Sequence, residues 1–162
     1  RVAASWSAER LRKGEVMSKF DINTVKMDAR YQGEECDRTK GAAWWHDAWT
    51  ITLRHQGRKL ETPFKMGRGH HGTPPTLAVV LSCLRLDAQS ADQTFEDWCA
   101  DFGYDDDSRE AERTYKACCA MDKKLRRLLG AKYGTFLNTD FEALDTVDDT
   151  ERKAFEEAEV AK

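Results

Sequence analysis

Apolar and polar residues alternate most clearly at residues 49–54. Trp49, Ile51 and Leu53 fall on one side there, and Thr50, Thr52 and Arg54 on the other. A period of two puts successive side chains on opposite faces of a strand. The alternation resumes at residues 59–66, where Leu60, Thr62, Phe64 and Met66 share a face. Between the two runs lies His55-Gln56-Gly57-Arg58, whose glycine takes a positive φ at no steric cost. The pattern predicts a β-hairpin. Pro63 has no N–H, which predicts an edge or bulge position for its strand. Residues 20–31 carry a looser alternation of Ile22, Val25, Met27 and Ala29, and predict a further strand beside the hairpin. Residues 32–43, rich in Gly, Glu, Asp, Arg and Lys, predict a loop.

The hydrophobic period then lengthens. Beyond the glycine-rich loop Gly67-Arg68-Gly69-His70-His71-Gly72, Thr73-Pro74-Pro75 predicts an N-cap and first turn, and Leu77, Val80, Leu81 and Leu84 follow at helical spacing. Thr94 with Asp97 forms a capping-box pattern before Phe95, Trp98, Cys99 and Phe102, and Gly103 closes that short helix. Asp107 with Glu110 predicts a third start. Its helix buries Ala111, Tyr115, Cys118, Leu125 and Leu129 and stops at Gly130, with Lys123, Lys124, Arg126 and Arg127 near the negative end of the dipole. Strands first and helices second is the α+β order, a small antiparallel β-sheet packed by about three C-terminal α-helices.

A chain of 162 residues suits one domain. Its 34% charged residues nearly cancel to a net charge of −3, so any electrostatic function rests on local patches. No run approaches the ~20 apolar residues of a membrane span, and no apolar signal segment opens the chain. The five cysteines are odd in number and lack a C-x-x-C pair, which favours reduced thiols in a cytoplasmic setting. Cys83, Cys99 and Cys118 fall on apolar helix faces, as small core residues do. The first methionine is Met17, and Lys13-Gly14-Glu15 before it back-translates to a purine-rich ribosome-binding sequence. Residues 1–16 therefore read as a non-native or disordered extension, residues 17–138 as one α+β domain, and residues 139–162 as an acidic, partly ordered tail.

Four groupings invite a chemical reading. Asp105-Asp106-Asp107-Ser108 lacks the central glycine and distal ligand of a calcium loop, and suits a helix N-terminus better. His70-His71 offers one adjacent pair of metal-ligating side chains, against the two spaced pairs of structural zinc sites. Cys36 and His46 are conceivable as nucleophile and base, but no nucleophile elbow, phosphate loop or dinucleotide fingerprint is present, and no cofactor is expected. The last grouping interleaves Trp44, Trp45 and Trp49 with Arg54, Arg58, Lys59, Lys65 and Arg68, followed by His70 and His71. Aromatic platforms beside a basic groove hold single-stranded nucleic acid. The same residues also serve as core (Trp49), as closure of the sheet end (Trp44, Trp45) and as charged protection of a strand edge.

Three segments carry a resemblance. They are the hairpin from Trp49-Thr50-Ile51-Thr52-Leu53 to Thr62-Pro63-Phe64-Lys65-Met66-Gly67, then Gly72-Thr73-Pro74-Pro75-Thr76 with Val79-Val80-Leu81-Ser82-Cys83-Leu84, then Thr94-Phe95-Glu96-Asp97-Trp98 through Phe102-Gly103-Tyr104-Asp105 and Asp107-Ser108-Arg109 to Gly130. Over residues 47–130 the chain resembles a group of small proteins encoded by bacteriophages and prophages. No activity or catalytic residue comes with that resemblance. It implies a phage accessory protein in the cytoplasm of a bacterial host cell. The reading that follows is a non-catalytic binding protein acting on a host or phage protein. The alternatives are a single-stranded nucleic-acid binder using the basic and aromatic hairpin, and a small metal-dependent enzyme using His70, His71 or Cys36.

Overall fold

The computed structural model describes residues 19–39, 42–67 and 73–144. Three strands, β1 (Lys26–Thr39), β2 (Ala42–His55) and β3 (Arg58–Gly67), form an antiparallel sheet in the order β1-β2-β3. Four helices follow, α1 (Leu77–Ser90), α2 (Phe95–Phe102), α3 (Arg109–Leu129) and α4 (Tyr133–Leu137), and a helical turn at 141–144 ends the described chain. The architecture is the expected α+β one. Among the described residues no helix is long and apolar enough to cross a membrane.

The hairpin forms where the alternation places it. Its turn residues Gln56 (φ 48°) and Gly57 (φ 78°) both have positive φ, the backbone whose twist matches two-residue hairpins. Pro63 lies on the edge strand β3 opposite Thr50, where its missing N–H breaks no inner ladder. Of the expected loop, residues 32–39 and 42–43 are strand. β1 and β2 stay paired as far as Thr39 opposite Ala42. The polar composition hid this because both faces of that stretch lie beyond the main core and need no apolar alternation.

The inner face of the sheet carries Trp49, Ile51, Leu53 and Leu60, and its proximal part packs under α3 and α1. α3 turns Met121, Leu125, Leu128 and Leu129 to this core, and α1 adds Val80, Leu81 and Leu84. Trp98, Cys99 and Ala111 make a smaller core between α2 and α3, with Phe95, Tyr104 and Tyr115 packed around it. Cys118 is buried too, and desolvation pushes its thiol pKa up to about 11. Cys83 departs from the expectation and lies exposed.

Caps fix the helix starts. Thr94 accepts from the N–H of Asp97 as the capping pattern implies, and Gly103 ends α2 in the left-handed region. Two starts fall later than the sequence patterns place them. α1 is capped by Thr76, whose hydroxyl accepts from Val79, because consecutive prolines hold the residues before them extended. α3 is capped by Ser108, which accepts from Ala111, rather than by Asp107.

At its other end α3 is tied to the β2–β3 turn. His55 Nδ1 lies 3.3 Å from the Leu128 carbonyl, and Arg58 donates to the Arg127 carbonyl at 3.3 Å. These contacts satisfy helix carbonyls that have no intrahelical donor. Gly130 follows with φ 53° and ψ −124°, and a Cβ there would sit 2.6 Å from Arg58 Nη1. The first residues of the expected tail pack on the domain. Phe141 is fully buried against Phe20 and Phe136, and the Thr139 hydroxyl accepts from the Phe20 N–H. Residues 1–16 and 145–162 lie outside the described residues.

Truncating Phe141 to Ala should cost about 3–5 kcal/mol, and Leu86→Ala, at an exposed position, less than about 0.5 kcal/mol. Urea unfolding followed by circular dichroism measures both. Equal midpoints would mean that the chain beyond residue 138 does not belong to the core.

Candidate functional site

The sheet is longer than the helical layer that covers it. Fourteen residues of β2 extend over ~47 Å, whereas the 21 residues of α3 span ~31 Å. Beyond Trp49 the strands continue as an arm. Its register slips by one residue between Tyr31 and Gly33, and Gly33 at φ 111° takes a backbone that a side chain would strain. The bulge switches which β1 residues face inward. Tyr31 lies opposite Trp49 before it, and Glu34 and Cys36 lie opposite Asp47 and Trp45 after it.

Opposite residues in an antiparallel pair share a face. The outer face of the arm therefore carries Asp37 beside Trp44, and Glu35 beside His46 and Gly67. His46 is fully buried. Its Nε2 lies 3.4 Å from Glu35 and its Nδ1 3.8 Å from Asp37, neither in hydrogen-bond geometry. The Trp44 ring stacks on the imidazole, centroids 4.8 Å apart. Lys65 donates to Asp37 at 2.7 Å, and this bond holds the Asp37 carboxyl below its ordinary pKa. On the inner face Tyr31 rests against Trp49, centroids 5.0 Å apart, and its hydroxyl donates to buried Asp47 at 3.4 Å. Burial, with Asp47 beside it, raises the Tyr31 pKa.

Trp44 is 50% exposed, Trp45 44% and Tyr31 44%. The two tryptophans present one indole on each face of the arm. Trp49 is core, as its neighbours in the alternation imply.

The basic residues of the hairpin do not join them. Arg54 and Lys59 face each other on the outer face, but Arg54 is ten residues from Trp44 along β2, ~33 Å away. Lys59 is also within 3.6 Å of Glu61. Arg58 faces inward and is occupied by the end of α3. Lys65 alone among the described cations of the hairpin reaches the arm, where Asp37 holds it. A continuous basic groove with aromatic platforms is therefore not formed by the described residues. Arg68, His70 and His71 lie outside them.

Cys36 and His46 fall on opposite faces of the sheet and cannot act as nucleophile and base. Among the described residues no three His, Cys, Asp or Glu side chains are grouped to hold a metal ion. Glu35 and Asp37 belong to the site and were missed in the sequence because residues 32–43 read as a loop, and Tyr31, at the end of the expected strand, was missed with them. The signal available was Gly33, a glycine inside a long polar strand, where bulges occur.

The Asp37–Lys65 bond gives a pH-dependent outcome. With its pKa lowered in the folded protein, Asp37 contributes stability above the ordinary 3.8 that is lost as pH falls through the folded value. Carbon-detected NMR should place the Asp37 midpoint below 3.8, and Lys65→Met should move it up. An unmoved midpoint would show that Lys65 does not hold the carboxylate. Comparison with protein-family models, with curated proteins and with solved structures found no match for this chain.

Proposed function

We propose that the chain is a non-catalytic binding protein that grips a protein partner with the arm of its sheet. The observation that supports this is the pair of half-exposed indoles, Trp44 and Trp45, on opposite faces of paired strands. Tryptophan and tyrosine dominate the energetic centres of protein interfaces. Half-exposed indoles on both faces are surface that a partner can cover, and neither belongs to the main hydrophobic cluster. A partner with a cleft wide enough for the arm buries both at once. Its rim would be basic beside Trp44, where Asp37 and Glu35 stand.

The same carboxylates weigh against the nucleic-acid reading. Phosphates next to a base stacked on Trp44 would meet Glu35 and an Asp37 that already holds Lys65, and the Arg54–Lys59 pair is too distant to attract them. The resemblance to phage and prophage proteins supplies the proposed setting, in which the partner is a host or phage protein inside a bacterial cell. No reaction is proposed.

Affinity purification from host cells with wild type and with Trp44→Ala/Trp45→Ala tests the reading. The double variant should lose the captured partner, each indole contributing on the order of 2 kcal/mol or more, with little change in thermal midpoint. Arg54→Ala/Lys59→Ala should retain it. Capture that survives loss of both indoles would remove the arm from the interface. Tryptophan quenching by a single-stranded oligonucleotide that weakens with salt would instead favour nucleic acid.

A further inference from the structure

The sheet has two edge strands, β1 and β3, and their edges differ. A two-residue hairpin is closed by a hydrogen-bonded pair, here His55 with Arg58. The N–H and C=O of successive residues point to opposite sides of a strand. Leu53, Ile51 and Trp49 therefore bond toward β3, and Arg54, Thr52 and Thr50 toward β1. Pro63 stands opposite Thr50, so its nitrogen lies on the free edge of β3 and removes a donor there. On β1 the backbones of Lys26, Asp28 and Arg30 bond to β2, and those of Met27, Ala29 and Tyr31 turn outward. No proline interrupts β1.

A row of outward backbone groups is a template for another strand. The side chains of β1 suit a second copy of β1. An antiparallel pair centred on Ala29 sets Ala29 against Ala29 and Met27 against Tyr31 of the copy, with the outward groups facing each other. On the outer face it sets Asp28 opposite Arg30 of the copy, and Arg30 opposite Asp28. Both side chains are exposed, and neither is in an ion pair among the described residues. Centring the pair on Asp28 or on Arg30 instead would put like charges directly opposite, which is destabilising. On the inner face Met27 and Ala29 are half-buried beside the core and Tyr31 is exposed, so the favoured register adds apolar contact. It also sets Gln32 opposite Lys26. The ladder then ends at the bulge on one side and at the start of β1 on the other.

We infer that the chain forms a two-fold dimer through β1, in which residues 26–32 of each copy pair antiparallel about Ala29 and join two three-stranded sheets into one. The axis is normal to the sheet, so both helical layers lie on the same side. α3, packed on β2 and β3, stands back from the join.

Sedimentation equilibrium of the full chain tests this. A contact one strand wide should give a dissociation constant on the order of 1–100 μM. Asp28→Arg sets arginines opposite each other at both ends of the join, and Arg30→Asp sets aspartates there; each should weaken the dimer about ten-fold or more. Both changes in one chain should restore it. Mixing the two single-variant chains should give a heterodimer tighter than either homodimer. Ala29→Pro removes an outward N–H and no bond to β2, and should leave the chain monomeric. If that variant does not fold, the charge exchange decides. The inference is overturned if wild type is a monomer at about 1 mM, if both single variants dimerise like wild type, or if the double variant is as weak as the singles. A dimer lost with Trp44→Ala/Trp45→Ala and kept in the charge variants would place the contact on the arm and remove it from β1.

Discussion

Burial of one face of the sheet's proximal half is the constraint on which the rest of the structure depends. Ile51 and Leu53 are wholly covered, and so is Leu125 of α3. At roughly 25 cal/mol per Å² of apolar surface removed from water, this contact is the main source of stability available to a three-stranded sheet. It also sets the direction of α3. The helix has to end where the hairpin turn can satisfy its carbonyls, through His55 and Arg58. Gly130 then lets the chain turn under Arg58 and send Phe136 and Phe141 back into the same core.

Beyond that half His46, Asp47 and Ala48 are still buried, and the strands become half-exposed only further out, at Trp45 and Trp44. Backbone pairing continues to Thr39 and Ala42 whatever the side chains are. The bulge at Gly33 changes the inward set of β1 residues, so that charged and aromatic groups take the places that apolar ones hold nearer the core. The side-chain contacts there are specific ones: Trp44 on His46, Tyr31 on Trp49 and Asp47, and Lys65 on Asp37. Paired strands rooted in a well-packed sheet can hold two half-exposed indoles in a fixed relation. That rigidity lowers the entropic cost of binding.

The arm and a cleft between the end of α1 and α2 share a chemical bias although they belong to different layers. Both set exposed aromatic rings beside carboxylates, Trp44 with Asp37 and Phe102 with Asp101. In the arm Lys65 offsets Asp37, and other cations of the described chain lie elsewhere. Arg54 and Lys59 sit on the outer face of the hairpin, and Arg126 lies over the Tyr133 ring.

The sequence by itself determined the hairpin, the first three helices and the caps of α2. Periods of two and 3.6 are imposed by local geometry, and Thr94, Gly57 and Gly103 act on backbone within a few residues of themselves. It also marked Trp49, Leu53 and Leu125 as core. The arm was not legible, since a paired strand covered on neither face by the main core has no hydrophobic period to read. The exposure of Trp44 and Trp45, the separation of Cys36 from His46, the burial of Phe141 and the meeting of α1 with α2 at Trp98 were decided by tertiary structure alone. Each depends on where distant segments stop covering one another, and that is set by the relative lengths and packing of strands and helices rather than by any local pattern.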